Sequence, residues 1–255
     1  MLLRESPECA NLPLLAMWNG ARVTVVVPAF NEAKRIAAVL RGMPDFVDQV
    51  VVVDDASADD TAQVARSVQD ARVVVLRHPK NAGVGAAIVS GYRHALVAPG
   101  ETSPRDVFVV MAGDGQMAPE DLARVVEPVA AGRFDYVKGE RFTDAQVRTV
   151  MPSPRYWGGR VFSALTSRAL GQTIHDSQCG FTAIARATCA RLPLDEVWPG
   201  FGYPNDLLLT LGRLGARIGE VPVKACYPHD ESKLRLWHVP MVAYVIGRGA
   251  LRRLR

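Results

Sequence analysis

The sequence predicts an α/β protein with a mainly parallel central sheet and helices on both of its faces. Three observations predict it. Short, β-branched apolar runs alternate with stretches of helical period over residues 22–130. The runs are continuously apolar rather than alternating with polar residues, as in strands covered on both faces. Small and polar residues gather where the runs end, the edge at which open parallel sheets bind ligands.

Each element follows from its residues. Residues 22–28 (Arg22, then Val23, Thr24, Val25, Val26, Val27 and Pro28) read as the first strand. Asn31 then caps a helix with Ile36, Val39, Leu40 and Met43 on its apolar face. The second strand, residues 49–53, runs into Asp54 and Asp55, after which Ser57 and Asp60 make a capping box for the next helix. The third strand, residues 72–76, leads through His78, Lys80, Asn81, Gly83 and Gly85 into a helix over residues 86–97. The fourth, residues 107–111, ends in a small-residue turn (Ala112, Gly113, Asp114, Gly115). Pro119, Glu120 and Asp121 open its helix, with Leu122, Val125, Val126 and Val129 on one side. Further on, Pro152 and Pro154 mark a loop. A helix over residues 156–170 is expected to face Val161, Phe162, Leu165 and Ala169 inward, and residues 207–214 form another apolar helical run. The last helix, residues 239–255, sets Val242, Val245, Ile246 and Gly249 on one side and Arg248, Arg252 and Arg255 along its flank.

Composition narrows the function classes. The chain has 255 residues, 22% charged and 49% hydrophobic, which suits one large globular domain. A net charge of +4, without a Lys/Arg block interleaved with aromatics, fits anionic ligands and argues against nucleic acid. Cys9, Cys179, Cys189 and Cys226 are too dispersed for a zinc site, and His78, His94, His175, His229 and His238 include no pair at helical ligand spacing. No apolar run reaches the ~20 residues of a spanning helix, and the first residues lack a basic-then-apolar signal pattern. A cytoplasmic location is expected, with any membrane contact peripheral and at the inner face.

The strand ends carry the chemistry. Asn31 and Glu32, Asp54 and Asp55, and Asp114 and Gln116 follow different strands. Carboxylates there suit a base, a ribose and a divalent metal, and a metal can in turn hold a diphosphate. A phosphate loop is absent, and Gly83-Val84-Gly85 lacks the third glycine of a dinucleotide fingerprint.

These motifs, in order and spacing, resemble the family 2 glycosyltransferases: residues 25–32 (VVVPAFNE), 52–61 (VVDDASADDT), 81–85 (NAGVG) and 113–120 (GDGQMAPE). Residues 139–142 (GERF), 176–181 (DSQCGF) and 231–233 (ESK) bring the chain nearest the dolichol-phosphate mannosyltransferase-like branch. The resemblance implies the GT-A (nucleotide-diphospho-sugar transferase) fold. It also implies that Pro28, Phe30, Glu32, one of Asp54 or Asp55, Gly85 and Gly113 bind the nucleotide. Asp114 and Gln116 would hold Mg2+ or Mn2+, Arg141, Ser232 and Lys233 would bind phosphates, and Asp176 and Gln178 would lie on the acceptor side. Asp114, Arg141 and Asp206 form the expected catalytic set. One departure is Ala112, which stands where many relatives have the first acid of an Asp-x-Asp motif.

Residues 1–21 read as an extension, 22–140 as the nucleotide-sugar half, 141–237 as the acceptor half of the same domain, and 238–255 as a basic amphipathic helix. Two placements stay open for that helix: on an anionic membrane surface, or packed on the core. The implied reaction is inverting, metal-assisted transfer of a sugar from a UDP- or GDP-sugar to a polyprenyl phosphate. Transfer to a soluble hydroxyl with Asp206 as base, and nucleotide-sugar binding without turnover, are the alternatives. A phosphate monoester, with a second pKa of ~6, needs no base, so Asp206 has either a general-base role or that of a first-turn helix charge.

Overall fold

The computed structural model describes residues 18, 20–98, 100, 102–226 and 238–253. Its valine-rich runs form β1 (Val23–Ala29), β2 (Gln49–Asp54), β3 (Val73–Arg77) and β4 (Val107–Val110), joined in one sheet by β5 (Tyr136–Glu140), β6 (Thr182–Ala185) and β7 (Ile218–Pro222). The strand order is β3-β2-β1-β4-β6-β5-β7. β1 pairs in parallel with β2 and β4, whereas β6 runs antiparallel between β4 and β5. The expected sheet is therefore the one observed, with a single reversed strand in its middle.

Two apolar layers sandwich the sheet, because successive side chains of a strand point to opposite faces. Val25, Val50 and Val109 join one cluster, and Val26, Val51 and Val110 the other. Helices α1 (Ile36–Arg41), α2 (Thr61–Ser67) and α4 (Leu122–Ala130) cover the first layer. The second is covered by α3 (Val84–Leu96), α6 (Ser153–Leu170), α8 (Tyr203–Arg213) and α9 (His238–Arg253). Two short helices, α5 (Val147–Val150) and α7 (Arg186–Ala190), complete the α-helices among the described residues, beside single 3-10 turns at Pro119–Asp121 and Leu194–Glu196. No helix among them is long and apolar enough to cross a membrane.

Three local expectations fail, each for a tertiary reason. Asn31 does not cap α1, which starts at Ile36. Its Oδ1 accepts the Ala58 N–H at 2.9 Å, and its own N–H donates to Ser57 Oγ at 2.9 Å. The Ser57–Asp60 capping box is consequently not made, since the Ser57 hydroxyl serves Asn31 and α2 begins at Thr61 without a side-chain cap. On α6, Phe162 points inward but Val161 and Leu165 are 57% and 45% exposed, and Ala169 is half-buried. The side that packs carries Tyr156, Gly159, Phe162, Ser163, Thr166 and Leu170. Ser163 and Thr166 can be buried there because Ser163 Oγ accepts the Ser177 N–H at 2.9 Å and Thr166 Oγ1 accepts from Asn205 Nδ2 at 2.7 Å.

The last helix takes the second of its two placements. Val242, Val245, Ile246 and Gly249 are buried, and a Cβ on Gly249 would lie 2.4 Å from Leu209 Cδ1, so α9 sits close on α8. Arg248 Nη2 donates to the Glu196 carbonyl at 2.9 Å, and Arg252 Nη1 lies 3.2 Å from Glu196 Oε2. Arg255 lies outside the described residues.

The contact of α3 on β1 is equally tight: a Cβ on Gly91 would fall 2.2 Å from Val26 Cγ1. Gly91→Ala is expected to cost about 1–3 kcal/mol of folding stability through overpacking, read as a lower urea midpoint with unchanged slope.

Candidate active site

The sheet's connections run outward in opposite directions from the boundary between β1 and β4, the switch point at which such sheets open a crevice. A cavity of about 560 Å³ lies there, at the carboxyl ends of these two strands. Pro28, Phe30, Glu32, Asp55, Asp114 and Gln116 form part of its wall. Across from them stand residues from the start of α6 and α8, including Pro152, Arg155, Phe162, Phe201 and Tyr203.

The first wall is held by bonds between loops. The Glu32 N–H donates to Thr61 Oγ1 at 2.8 Å, and Asn31 ties the first loop to the second as described above. Asp55 secures the third loop: its carboxylate accepts the N–H groups of Ala82 and Gly83, both at 2.8 Å. His78 Nδ1 lies 2.7 Å from Asp55 Oδ1, and Nε2 lies 2.8 Å from Ser90 Oγ. A carboxylate only accepts, so Nδ1–H donates to Asp55. Asn31 and Ala56 have φ of 56° and 59°, left-handed values that are strained for alanine and occur here beside a ligand crevice.

The paired aspartates separate in three dimensions. Asp55 lines the cavity, whereas Asp54 is fully buried behind it, accepting the Ser57 N–H at 3.1 Å and pairing with Arg77 Nε at 3.1 Å. Gly85 and Gly113, expected to bind nucleotide, are closely packed. A Cβ on Gly85 would fall 2.1 Å from the Trp198 carbonyl, and one on Gly113 would fall 2.9 Å from Ile36 Cδ1. Neither lines the cavity; Gly83, Val84, Ala112 and Asp114 do.

Asp114 and Gln116 stand together as expected. The Gln116 N–H donates to Asp114 Oδ1 at 3.0 Å, closing the turn, and Arg155 Nη2 is 3.5 Å from Gln116 Oε1. No cluster of three His, Cys, Asp or Glu side chains suited to a metal occurs among the described residues. A carboxylate and an amide oxygen in one cavity nevertheless fit a hydrated magnesium-type ion, which commonly takes one or two carboxylates and completes its shell with water and phosphate oxygens.

Arg141 lines the cavity while its charge is anchored below. Its Nε and Nη2 donate to Asp176 at 2.7 and 3.0 Å, and its backbone N–H reaches the same carboxylate at 3.2 Å. Burial alone would raise the Asp176 carboxyl, but the Arg141 guanidinium, with help from Lys138, holds it below its ordinary value of 3.8. Fully buried Lys138 donates to the Cys179 carbonyl, and desolvation lowers its pKa. Asp176 is thus a support under Arg141 and not a wall of the acceptor side. Gln178 does line the cavity, its amide donating to Asn205 Oδ1 at 2.6 Å. Ser232 and Lys233 lie outside the described residues.

Asp206 does not line the cavity. It is 2% exposed; its Oδ2 accepts the Trp198 N–H at 2.8 Å and its Oδ1 lies 3.6 Å from Arg248 Nη2. Burial raises its pKa against the opposing pull of the Trp198 N–H and Arg248. In this placement it clamps the loop before α8 to α9 and is not poised as a base. His78, Arg155 and Tyr203 have no role expected from the sequence. For Arg155, an arginine just after a proline-rich helix start was the available signal; for buried Tyr203, whose pKa is pushed well up by desolvation, no local signal existed.

Residues 24–192 match the model of Glycosyl transferase family 2. The chain is 32% identical to the undecaprenyl-phosphate mannosyltransferase of Micrococcus luteus, over 79% of this chain and 82% of that protein. It is 26% identical to the UDP-N-acetylglucosamine–dolichyl-phosphate N-acetylglucosaminyltransferase of Methanococcus voltae, over 80% and 86%. Among solved structures, glucosyl-3-phosphoglycerate synthase of Mycobacterium tuberculosis, in complex with Mn2+, UDP-glucose and phosphoglyceric acid, superposes with a TM-score of 0.67. That match is at 23% identity, over 93% of this chain and 82% of the other. At that identity the likeness shows the fold, which is the GT-A fold.

The Arg141–Asp176 pair sets an acid limit. A carboxyl with a depressed folded pKa contributes stability that is fully present above its unfolded value of 3.8 and is lost as pH falls through the folded value. Asp176→Asn is expected to lower stability at neutral pH by about 3 kcal/mol, since it leaves a buried guanidinium without its counter-charge. It should also flatten the loss of stability below pH ~4; urea denaturation across that range checks both.

Proposed function

The chain belongs to glycosyl transferase family 2, in its dolichol-phosphate mannosyltransferase-like branch, and we propose that this sugar-transferring enzyme carries a hexosyl group from a UDP- or GDP-sugar to a polyprenyl phosphate. The observation that carries the acceptor assignment is the wall made by the starts of α6 and α8. Among its described lining residues there is no carboxylate and no histidine; Arg155 stands with Pro152, Pro154, Phe162, Phe201 and Tyr203. A hydroxyl acceptor needs a base to take its proton, whereas a phosphate monoester is already largely ionised. A cation beside apolar and aromatic groups suits a phosphate joined to an isoprenoid chain. The names of the Micrococcus and Methanococcus relatives support the same acceptor class.

The donor nucleotide takes the opposite wall, with Phe30 and Pro28 against the base and Glu32 and Asp55 toward base and ribose. Asp114 and Gln116 are the residues that would hold a magnesium or manganese ion, which when bound supplies charge neutralisation to the diphosphate. An acceptor phosphate oxygen attacks the anomeric carbon as the bond to the nucleoside diphosphate breaks on the opposite face, so configuration inverts. Negative charge grows on the departing diphosphate. Arg141, fixed in direction by two bonds to Asp176, offers a preorganised cation to that charge. The tether keeps the guanidinium from following the substrate, so little reorganisation is needed as the bond breaks.

Transfer is measured with purified protein, a panel of UDP- and GDP-sugars, Mg2+ or Mn2+, and a short polyprenyl phosphate, with glycolipid read by mass spectrometry. A metal-dependent product from one donor is expected. Absence of glycolipid from every donor, with one nucleotide sugar still binding, would reject the acceptor and favour a soluble acceptor or binding without turnover. Asp114→Ala is expected to lower kcat by ~10²–10³, the size of effect seen when a group stabilising transition-state charge is lost. Asp206→Asn keeps an oxygen for the Trp198 N–H, and kcat should fall by less than about tenfold, short of the ~10²–10⁴ of a lost general base.

A further inference from the structure

α6 has two working sides. Arg155, Gly158, Gly159 and Phe162 line the cavity, while Trp157, Val161 and Leu165, four residues apart, form an outward apolar stripe roughly 12 Å long. Trp157 is 63% exposed, and Val150, just before the helix, is also exposed. A row of large apolar side chains in water beside a cavity mouth is a cost that needs a partner to offset it.

The charge around the stripe says which partner. Between Asp144 and Asp176 the chain has no acidic residue, but it has Arg148, Arg155, Arg160 and Arg168. Arg148, Arg160 and Arg168 are exposed. The first two are held in place over the Tyr156 ring, at 5.5 and 6.0 Å from its centroid, and that ring packs edge-on at 5.4 Å against Trp157. Cations are therefore fixed at the border of the apolar stripe. A second copy of the chain on the same face would bring like charges together. An anionic bilayer meets both features, taking tryptophan and aliphatic side chains at the acyl boundary and arginines among phosphates.

We infer that the outer face of α6, with Val150 and its arginines, docks on an anionic lipid bilayer and sets the cavity mouth at the membrane surface. This docking rests on the polyprenyl-phosphate acceptor for its purpose: a lipid phosphate would pass from the bilayer to Arg155 around one helix without crossing open water. On α9, by contrast, Arg248 and Arg252 are turned to Asp206 and Glu196.

The test uses the full-length protein and vesicles of phosphatidylcholine with or without phosphatidylglycerol, read by co-sedimentation. Binding is expected to the anionic vesicles alone and to weaken as salt rises. Two variants separate the contributions: a triple Trp157→Ser, Val161→Ser, Leu165→Ser, and a double Arg160→Glu, Arg168→Glu. The triple should lower partition by about tenfold or more, and the double by at least about fivefold per arginine. Both leave transfer to a short, water-soluble polyprenyl phosphate unchanged, because every altered side chain is exposed and outside the cavity. Equal binding to neutral vesicles, or anionic binding that survives both variants, overturns the docking face. So does a wild-type dimer that the triple variant dissociates while neither protein binds vesicles. Vesicle binding that depends on this face, without glycolipid formation, would sustain the docking and reject the acceptor.

Discussion

A guanidinium cannot be buried beside a ligand cavity without a counter-charge, and much of the structure after β5 answers that constraint. Arg141 follows β5 and Asp176 precedes β6, and the two strands are antiparallel neighbours. The reversed strand is what makes the pairing possible. In a parallel sheet only the segments after strands reach the ligand edge, but an antiparallel strand brings the segment before it to that edge. Residues 176–180 thereby enter the site, where Asp176 grips Arg141 and Gln178 and Gly180 line the cavity. Glu220, within β7, accepts the backbone N–H of Asp176 at 2.9 Å, which ties that strand to the same support.

The wall built from the first three strand ends is held by a different means. Its strand-end loops are fastened to one another by single side chains: Asn31 and Thr61 join the first loop to the second, and Asp55 joins the second to the third. His78 extends this chain of bonds from Asp55 to Ser90 on α3. Such cross-loop bonds explain why Asn31 and Ser57 abandon their local capping roles. They also hold Ala56 in a left-handed conformation that an isolated turn would avoid. The result is a cross-braced wall that faces a second wall of aromatic, proline and arginine side chains.

The helices around that second wall reverse the ordinary reading of amphipathicity. α6 buries Ser163 and Thr166 because Asn205 and Ser177 bond them, and it leaves Val161 and Leu165 outside. Polar burial is tolerable once each group has a partner, and it lets α6 and α8 exchange directed bonds instead of only apolar contact. α9 is the converse case. Its apolar side packs as its period predicts, and Arg248 and Arg252 close over Trp198, Glu196 and Asp206.

What was legible in the sequence was what local chemistry determines: valine runs too apolar for anything but covered strands, helical period after each, and the motifs that carry Asp114, Gln116, Glu32 and Arg141 to strand ends. Family, fold and the position of the crevice followed from these alone. The tertiary structure decided the rest, because each remaining question turned on partners distant in the chain. Asp54 and Asp55 look alike until Arg77 takes one and the His78 loop takes the other. Asp176 reads as a group on the acceptor side, and Asp206 as a base or a first-turn helix charge, until Arg141 and Arg248 are seen beside them. Gly85 and Gly113 read as room for a ligand until Trp198 and Ile36 are seen to fill it. Whether a carboxylate meets substrate or supports an arginine depends on desolvation and on which cation lies within about 4 Å, and neither is written in local sequence.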